Sequence, residues 1–520
     1  MRRRSRRLRP RSRLTLAVLA AATLAGCTTG PSARPAVVDN DGSKQPKAPT
    51  SAPAVPLPPL GEPQSPLIRW NDCDDDTRQR LGQPAVPDTL RFSCARMTTP
   101  LDAPDQPRRA MVRSLVLKAG TGPVPLVVVN DVDGEPGTLY AARLAASLPP
   151  EFLQKFSLVG LDRRGTGLSG AVQCVPGDVR RDLIGADPAQ GDLEGVLDAA
   201  RKAGQQCAID LDVAQTGLDS WRTAGDLDEL RKQLGMERLT ALGRGDGSKV
   251  LSEYAVRFPA QVGRMVLDGI PDPGQDTAAV LDAVAAGAQS TLDAFGADCA
   301  TRHCALGDPK AALRAVTDRL RTPVVTADGI PMNAGIATYA VYSGLAQRAR
   351  WPELADAIAA ARDGNLAPLA VFAAPVLHDS RSLPSRLDGA IATRCNDSAT
   401  RLPADEITKV GTAMRGKYPQ FGTTVAQQLA WCAPWPTRRE PLPRAGVPGV
   451  PPILVASTAA DPVTPEQGTT RAADQMPTSV TISWQGAGHG ALGSSPCVTD
   501  AVRAFLVDGK VPGDGTLCPA

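Results

Sequence analysis

The sequence is short of aromatic residues (4%) and of histidine, with three in 520 positions. It shows no internal repeat and no coiled-coil heptad, so the usual signs of a structural or assembly role are missing. No apolar run approaches the ~20 residues that a membrane-spanning helix needs. Nor is there a basic stripe of the kind that binds nucleic acid, although the formal charge of +3 hides this. Eight arginines and no acid fall in residues 1–26, which leaves 49 basic against 54 acidic side chains from Cys27 onward, a formal −5. What remains, 42% hydrophobic and 21% charged, suits a soluble globular protein. The length allows one large domain with an insertion, or two domains.

The arginine run reads as an export signal. A positive stretch, residues 1–13, precedes a short apolar stretch, Leu14–Ala25, and ends in Leu24-Ala25-Gly26-Cys27. That ending resembles a bacterial lipobox. It implies a signal peptide over residues 1–26, a lipid on Cys27 and an anchor on the extracytoplasmic face of the cell membrane. A plain secretory signal is the alternative, and Ser5-Arg6-Arg7 leaves the export route open between Sec and twin-arginine. Residues 27–66, rich in Pro, Ala, Ser and Gly without hydrophobic period, are expected to form an extended tether. Export makes disulfides admissible. Apart from Cys27, ten cysteines remain, and pairing neighbours gives Cys73–Cys94, Cys174–Cys207, Cys299–Cys304, Cys395–Cys432 and Cys497–Cys518, with other connectivities open. Cys299, His303 and Cys304 lack a nearby fourth ligand, so no metal and no other cofactor is expected.

Strand signals at 113–118, 126–130, 156–162, 452–456 and 480–484 alternate with helical spacing at 141–148, 221–234, 465–476 and 498–507. Alternation of this length implies an α/β architecture with a mostly parallel sheet. Residues 68–97, with the first cysteine pair, are expected to wrap the sheet edge. From about 276 to 394 the pattern is helical without a strong strand, as in a helical cap inserted over the sheet. The core is therefore expected over 67–275 and again over 395–520.

Residues 237–273 organise the rest: a buried strand, a glycine turn, an amphipathic helix and a second buried strand. That order is the nucleophile elbow of an α/β-hydrolase, whose turn is written G-x-S-x-G. Here the turn is Gly243-Arg244-Gly245-Asp246-Gly247, so glycine stands where the serine belongs. Further motifs are Asp162-Arg163-Arg164-Gly165-Thr166-Gly167, Arg264-Met265-Val266-Leu267-Asp268-Gly269, Cys395-Asn396-Asp397, Cys432-Ala433-Pro434-Trp435-Pro436, Asp461-Pro462-Val463-Thr464-Pro465 and Gly488-His489-Gly490. With these, the chain over roughly 89–519 resembles the actinobacterial secreted α/β-hydrolases related to tripeptidyl aminopeptidases, including mycobacterial cell-envelope serine-protease lipoproteins.

The resemblance implies His489 as base and Asp461 as the carboxylate that orients it. The nucleophile position falls on Gly245, which has no side chain to acylate. Asp246 could replace it only if the register slipped by one, and Arg244 would then occupy a flank that needs a very small residue. Ser248 lies about one helical turn further on. The oxyanion loop is expected at Gly134 and Glu135, with Asp246 after the elbow. Carboxylates at Glu135 and Asp246 would oppose negative charge there. Asp397 and Glu353 are candidate recognition carboxylates for a peptide amino terminus. The expected function is that of a membrane-anchored pseudo-hydrolase holding a peptide or a small ester or amide ligand. The alternative is an active serine-type exopeptidase or esterase with a displaced nucleophile.

Overall fold

The computed structural model describes residues 56–82, 86–103, 111–273, 277–379, 384–398, 400–437, 442–443 and 445–520. The expected signal peptide, Cys27 and the tether up to residue 55 lie outside the described residues. In chain order the strands are β1 (Asn71–Asp72), β2 (Phe92–Pro100), β3 (Met111–Ala119), β4 (Val124–Val129), β5 (Phe156–Leu161), β6 (Leu239–Arg244) and β7 (Val262–Asp268). A small ribbon of β8 (Val324–Val325) and β9 (Pro331–Met332) follows, then β10 (Ile453–Ala460), β11 (Ser479–Ala487) and β12 (Thr516–Cys518).

Ten of these strands form one sheet in the order β1-β2-β3-β5-β4-β6-β7-β10-β11-β12. The pairs β1–β2, β2–β3 and β3–β5 are antiparallel, and every pair from β5 to β12 is parallel. The fold is an α/β-hydrolase fold. Its centre follows from the sequence directly. β4, VPLVVV, is buried at every position, as a parallel strand covered on both faces must be. Successive side chains alternate between the faces. Leu126 and Val128 join an apolar cluster with helices Gly137–Ser147 and Pro496–Arg503, while Val127 and Val129 join another with helices Ser220–Gln233 and Asp246–Arg257. Each fully buried aliphatic side chain contributes about 1.5–3 kcal/mol.

A third apolar cluster makes a helical layer. The chain enters it twice, first with helices Gly177–Ile184 and Glu194–Leu211, then from Thr277–Thr301 through Gly422–Cys432. The helices Ala404–Lys417 and Gly422–Cys432, beyond residue 394, pack with its members. The ribbon β8–β9 also sits in the inserted segment, too short at two residues a strand to leave a periodic signal. Next to the β1 edge of the sheet, β2 runs for nine residues along the whole of β3, a full strand where the sequence suggested only a wrap. The five disulfides join neighbouring cysteines: Cys73–Cys94, Cys174–Cys207, Cys299–Cys304, Cys395–Cys432 and Cys497–Cys518.

Candidate active site

β6 ends at Arg244 and the helix Asp246–Arg257 starts at once, with Gly245 as the single hinge residue at φ 55°, ψ −124°. A side chain is strained at that positive φ, and glycine is not. Its two flanking glycines serve closeness instead. A Cβ at Gly243 would lie 2.6 Å from the Ser248 Cα, and one at Gly247 would lie 2.2 Å from the Val129 carbonyl oxygen. The elbow is therefore intact as backbone. Ser248 is fully buried in this strand–helix contact, and its hydroxyl has no partner among the described residues. The Asp246 carboxylate turns away from the hinge, accepting from Arg163 Nη1 at 2.6 Å and from the Val132 amide at 3.1 Å.

Asp461 follows β10, and its carboxylate is held by the amides of Val463 (2.7 Å) and Thr464 (2.8 Å) and by the Thr464 hydroxyl (3.0 Å). His489 follows β11 in a glycine-flanked turn. Asp268, at the end of β7, fixes that turn by accepting from the amides of Ala491 (2.7 Å) and Leu492 (3.1 Å), and Arg244 Nη2 donates to the His489 carbonyl at 2.6 Å. The helical layer adds the Ala346 carbonyl, which accepts the His489 amide at 3.0 Å. These restraints bring His489 Nδ1 to 3.0 Å from Asp461 Oδ2. Asp461 and His489 thus meet, the contact that the motifs lead one to expect.

The opposite side of the imidazole holds the main departure. His489 Nε2, which would face a serine hydroxyl, lies 2.9 Å from Oδ2 of Asp131, in the loop after β4. The other oxygen of that carboxylate accepts the Asp246 amide at 2.9 Å. A Cβ built on Gly245 would stand 1.8 Å from this same Oδ1. Asp131 therefore fills the volume of a nucleophile side chain and occupies the amide that follows the elbow. The Asp246 carboxylate in turn occupies the Val132 amide. The two loops each cap the other's N–H, so neither amide is free for another acceptor.

Electrostatics follow from the same geometry. Burial alone would lower the pKa of His489, but the carboxylates of Asp461 and Asp131 on either side outweigh it and raise it to about 10. Burial would likewise raise Asp131, yet the imidazolium beside it, with Arg244 and the Asp246 amide, holds it at about 2. The pair rests at neutral pH as imidazolium and carboxylate. An imidazolium has no lone pair with which to take a proton from a nucleophile or a water.

The remaining expected site residues lie elsewhere. The Glu135 carboxylate accepts from Arg143 Nε at 2.7 Å, and the Gly134 amide donates to the Asp131 carbonyl within its own turn. The carboxylate that enters the site from this loop is Asp131's, not Glu135's. Asp397 is half-buried, and its carboxylate is spent on Ser220 (2.6 Å to its hydroxyl) and Lys249 (3.0 Å). Glu353 is a surface residue paired with Arg350 at 2.8 Å. Sequence reasoning missed Asp131, Arg163 and Arg244 as parts of the site. The available signal was an acidic run, Asn130-Asp131-Val132-Asp133, directly after a buried strand.

Several known proteins are similar to this chain. The family described as TAP-like protein matches residues 418–518. The serine protease Hip1 of Mycobacterium tuberculosis is 28% identical over 491 residues, covering 89% of this chain and 92% of that protein. Carboxylesterase B of the same species is 29% identical, covering 91% and 94%. The tripeptidyl aminopeptidase of Streptomyces lividans is 27% identical, covering 87% and 86%. Among solved structures, an esterase from Rhodococcus is 15% identical over 76% of this chain and 94% of its own, with a TM-score of 0.35. Epoxide hydrolase A from Mycobacterium thermoresistibile is 16% identical over 77% and 97%, with a TM-score of 0.32. Matched along nearly its whole length, the chain is a homologue of the actinobacterial α/β-hydrolases that carry the names serine protease Hip1, carboxylesterase B and tripeptidyl aminopeptidase.

Proposed function

We propose that the chain is a tripeptidyl aminopeptidase-like α/β-hydrolase that no longer runs serine acyl transfer. It holds a peptide, or a small ester or amide, beneath its helical layer, and Cys27 tethers it to the outer face of the cell membrane. The observation that carries this reading is the Asp131 carboxylate, which stands in the nucleophile's place and bonds to His489 Nε2. Loss of the serine alone removes on the order of a million-fold of rate in a well-studied protease. Here the base is also protonated and the elbow amide is occupied, so the residual routes of water activation and oxyanion binding are weakened together.

The second reading, an active exopeptidase or esterase with a displaced nucleophile, has one observation in its favour. Asp131 is an ionised carboxylate in contact with the histidine, as a carboxylate nucleophile would be. Both of its oxygens are engaged, which opposes attack on a substrate. Purified protein incubated with a fluorophosphonate probe and with chromogenic tripeptidyl and ester substrates separates the two. The proposed role requires no labelling and no turnover above buffer. Stoichiometric labelling, or turnover abolished by His489→Ala, would overturn it.

A further inference from the structure

Beside the closed catalytic corner lies a cavity of about 160 Å³, bounded by the Asp131 loop, the turn after β5 and the start of helix Arg386–Asp397. Among the described residues four arginines line it, Arg80, Arg143, Arg163 and Arg386, against two carboxylates, Asp131 and Glu135. Glu135 pairs with Arg143 Nε within the lining itself, and Asp131 is committed to His489 and the Asp246 amide, which leaves Arg80, Arg163 and Arg386 facing no carboxylate of the cavity. Arg163 is 4% exposed and uses Nη1 on Asp246 and on the Asn130 carbonyl. Its Nε and Nη2 have no acceptor among the described residues. Arg386 feels Glu135 and Asp133, but these pair with Arg143 and with Arg394 (2.7 Å). Burial accordingly pushes the Arg386 pKa below the usual guanidinium value.

A buried guanidinium without an acceptor is costly, and water fills only part of its planar fork. A carboxylate or phosphate offers two oxygens in the matching geometry. The volume selects among ligands. Pockets for drug-sized molecules run to roughly 300–1,000 Å³, so this cavity of about 160 Å³ suits a smaller group. We propose that it is an oxyanion-binding site, in which Arg163 and Arg386 receive the free carboxylate of a peptide or a phosphate group. The peptide half of this assignment rests on the ligand-binding role above, while the anion half stands without it.

Calorimetric titration of the full chain at low ionic strength tests it with three probes: inorganic phosphate, a tripeptide with a free C-terminal carboxylate, and the same tripeptide amidated. Saturable heat is expected with phosphate or with the free acid, and none with the amide; phosphate alone would assign a phosphate ligand. Arg386→Gln should weaken that binding at least tenfold. Arg80→Gln, at the half-buried rim, should weaken it several-fold and keeps the test readable if the first variant misfolds. No saturable heat with either anion, equal binding of acid and amide, or unchanged affinity in both folded variants would overturn the proposal. Fluorophosphonate labelling reports on catalysis alone, so failure of the catalytic reading would be separately visible.

Discussion

Asp131 and Asp461 approach His489 from opposite sides, at 2.9 and 3.0 Å, and the consequence for the single imidazole is measurable. Its folded pKa of about 10 lies above the unfolded value of 6.5. The stabilisation is therefore whole below pH ~6.5 and is lost as pH rises toward 10. Between those limits the native state holds a proton that the unfolded chain does not, so stability should fall by about 1.4 kcal/mol per pH unit. Denaturant titrations at pH 6, 8 and 9.5 should show this slope in the wild type, and His489→Gln should remove it between pH 8 and 9.5; below about pH 8 Glu253, whose pKa burial raises to about 8, adds a fall of the same sign in both proteins. An equal slope in both proteins would mean that His489 is neutral. The same corner decides what restoring a serine does. Gly245→Ser alone places a Cβ on Asp131 Oδ1, at a positive φ, and should cost about 1–3 kcal/mol without gaining probe reactivity. Gly245→Ser with Asp131→Gly frees the hydroxyl's volume, the histidine Nε2 and the Asp246 amide together, and should label at least tenfold faster than wild type. Labelling by the single variant would show that Asp131 swings aside. The meeting of Asp461 and His489 was legible in the sequence because each sits in a short motif with a fixed place in the chain. Asp131 was not, because its meaning depends on an elbow 114 residues away, and in Asn130-Asp131-Val132-Asp133-Gly134 it reads as a turn residue.

At the scale of elements, the arginine pair after β5 shows how a sequence motif becomes a joint. Arg164 bonds Asp226 through Nε (2.8 Å) and Nη2 (2.7 Å) and also reaches the carbonyls of Leu101 and Gly217. Its neighbour Arg163 takes Asp246 at the head of the elbow helix, and Asp162 accepts from Thr138 and Leu168. Three successive residues thus tie β5 to the helix after β4, to the helix before β6 and to the elbow. Removing one partner of a buried pair leaves the other charged and unpaired, at a cost of about 3–5 kcal/mol. Asp226→Ala should therefore lower stability by that amount in urea titration, while Glu353→Ala, which breaks only a surface pair with Arg350, should stay within about 1 kcal/mol. A loss below 1 kcal/mol for Asp226→Ala would show that Arg164 is satisfied by carbonyls alone. The parallel strands were legible because their apolar runs are continuous, as in β4. The short edge strands β1 and β12 were not, since two or three residues carry no period.

Across the whole molecule, the disulfides divide by position. Cys174–Cys207, Cys299–Cys304 and Cys395–Cys432 lie within the helical layer, and the other two hold the extremes of the sheet. Cys73 follows β1 and bonds to Cys94 in β2, and Cys497, in the helix Pro496–Arg503, bonds to Cys518 in β12. An edge strand is the weakest part of a sheet because one side of its backbone is unpaired. β12 has three residues, paired only to β11, and its Leu517 is exposed. Strand pairing of that length holds little by itself, so the crosslink should supply most of its order. Closing a loop of 21 residues limits the unfolded chain by about 3 kcal/mol. The double variant Cys497→Ala, Cys518→Ala should lose roughly that much in denaturant titration. Amide exchange should accelerate at Thr516–Cys518 and leave β4 and β6 protected, because local opening at an edge does not require the central strands to separate. If exchange at β12 is unchanged, the edge is held by its packing on β11 and the bridge serves only the unfolded state.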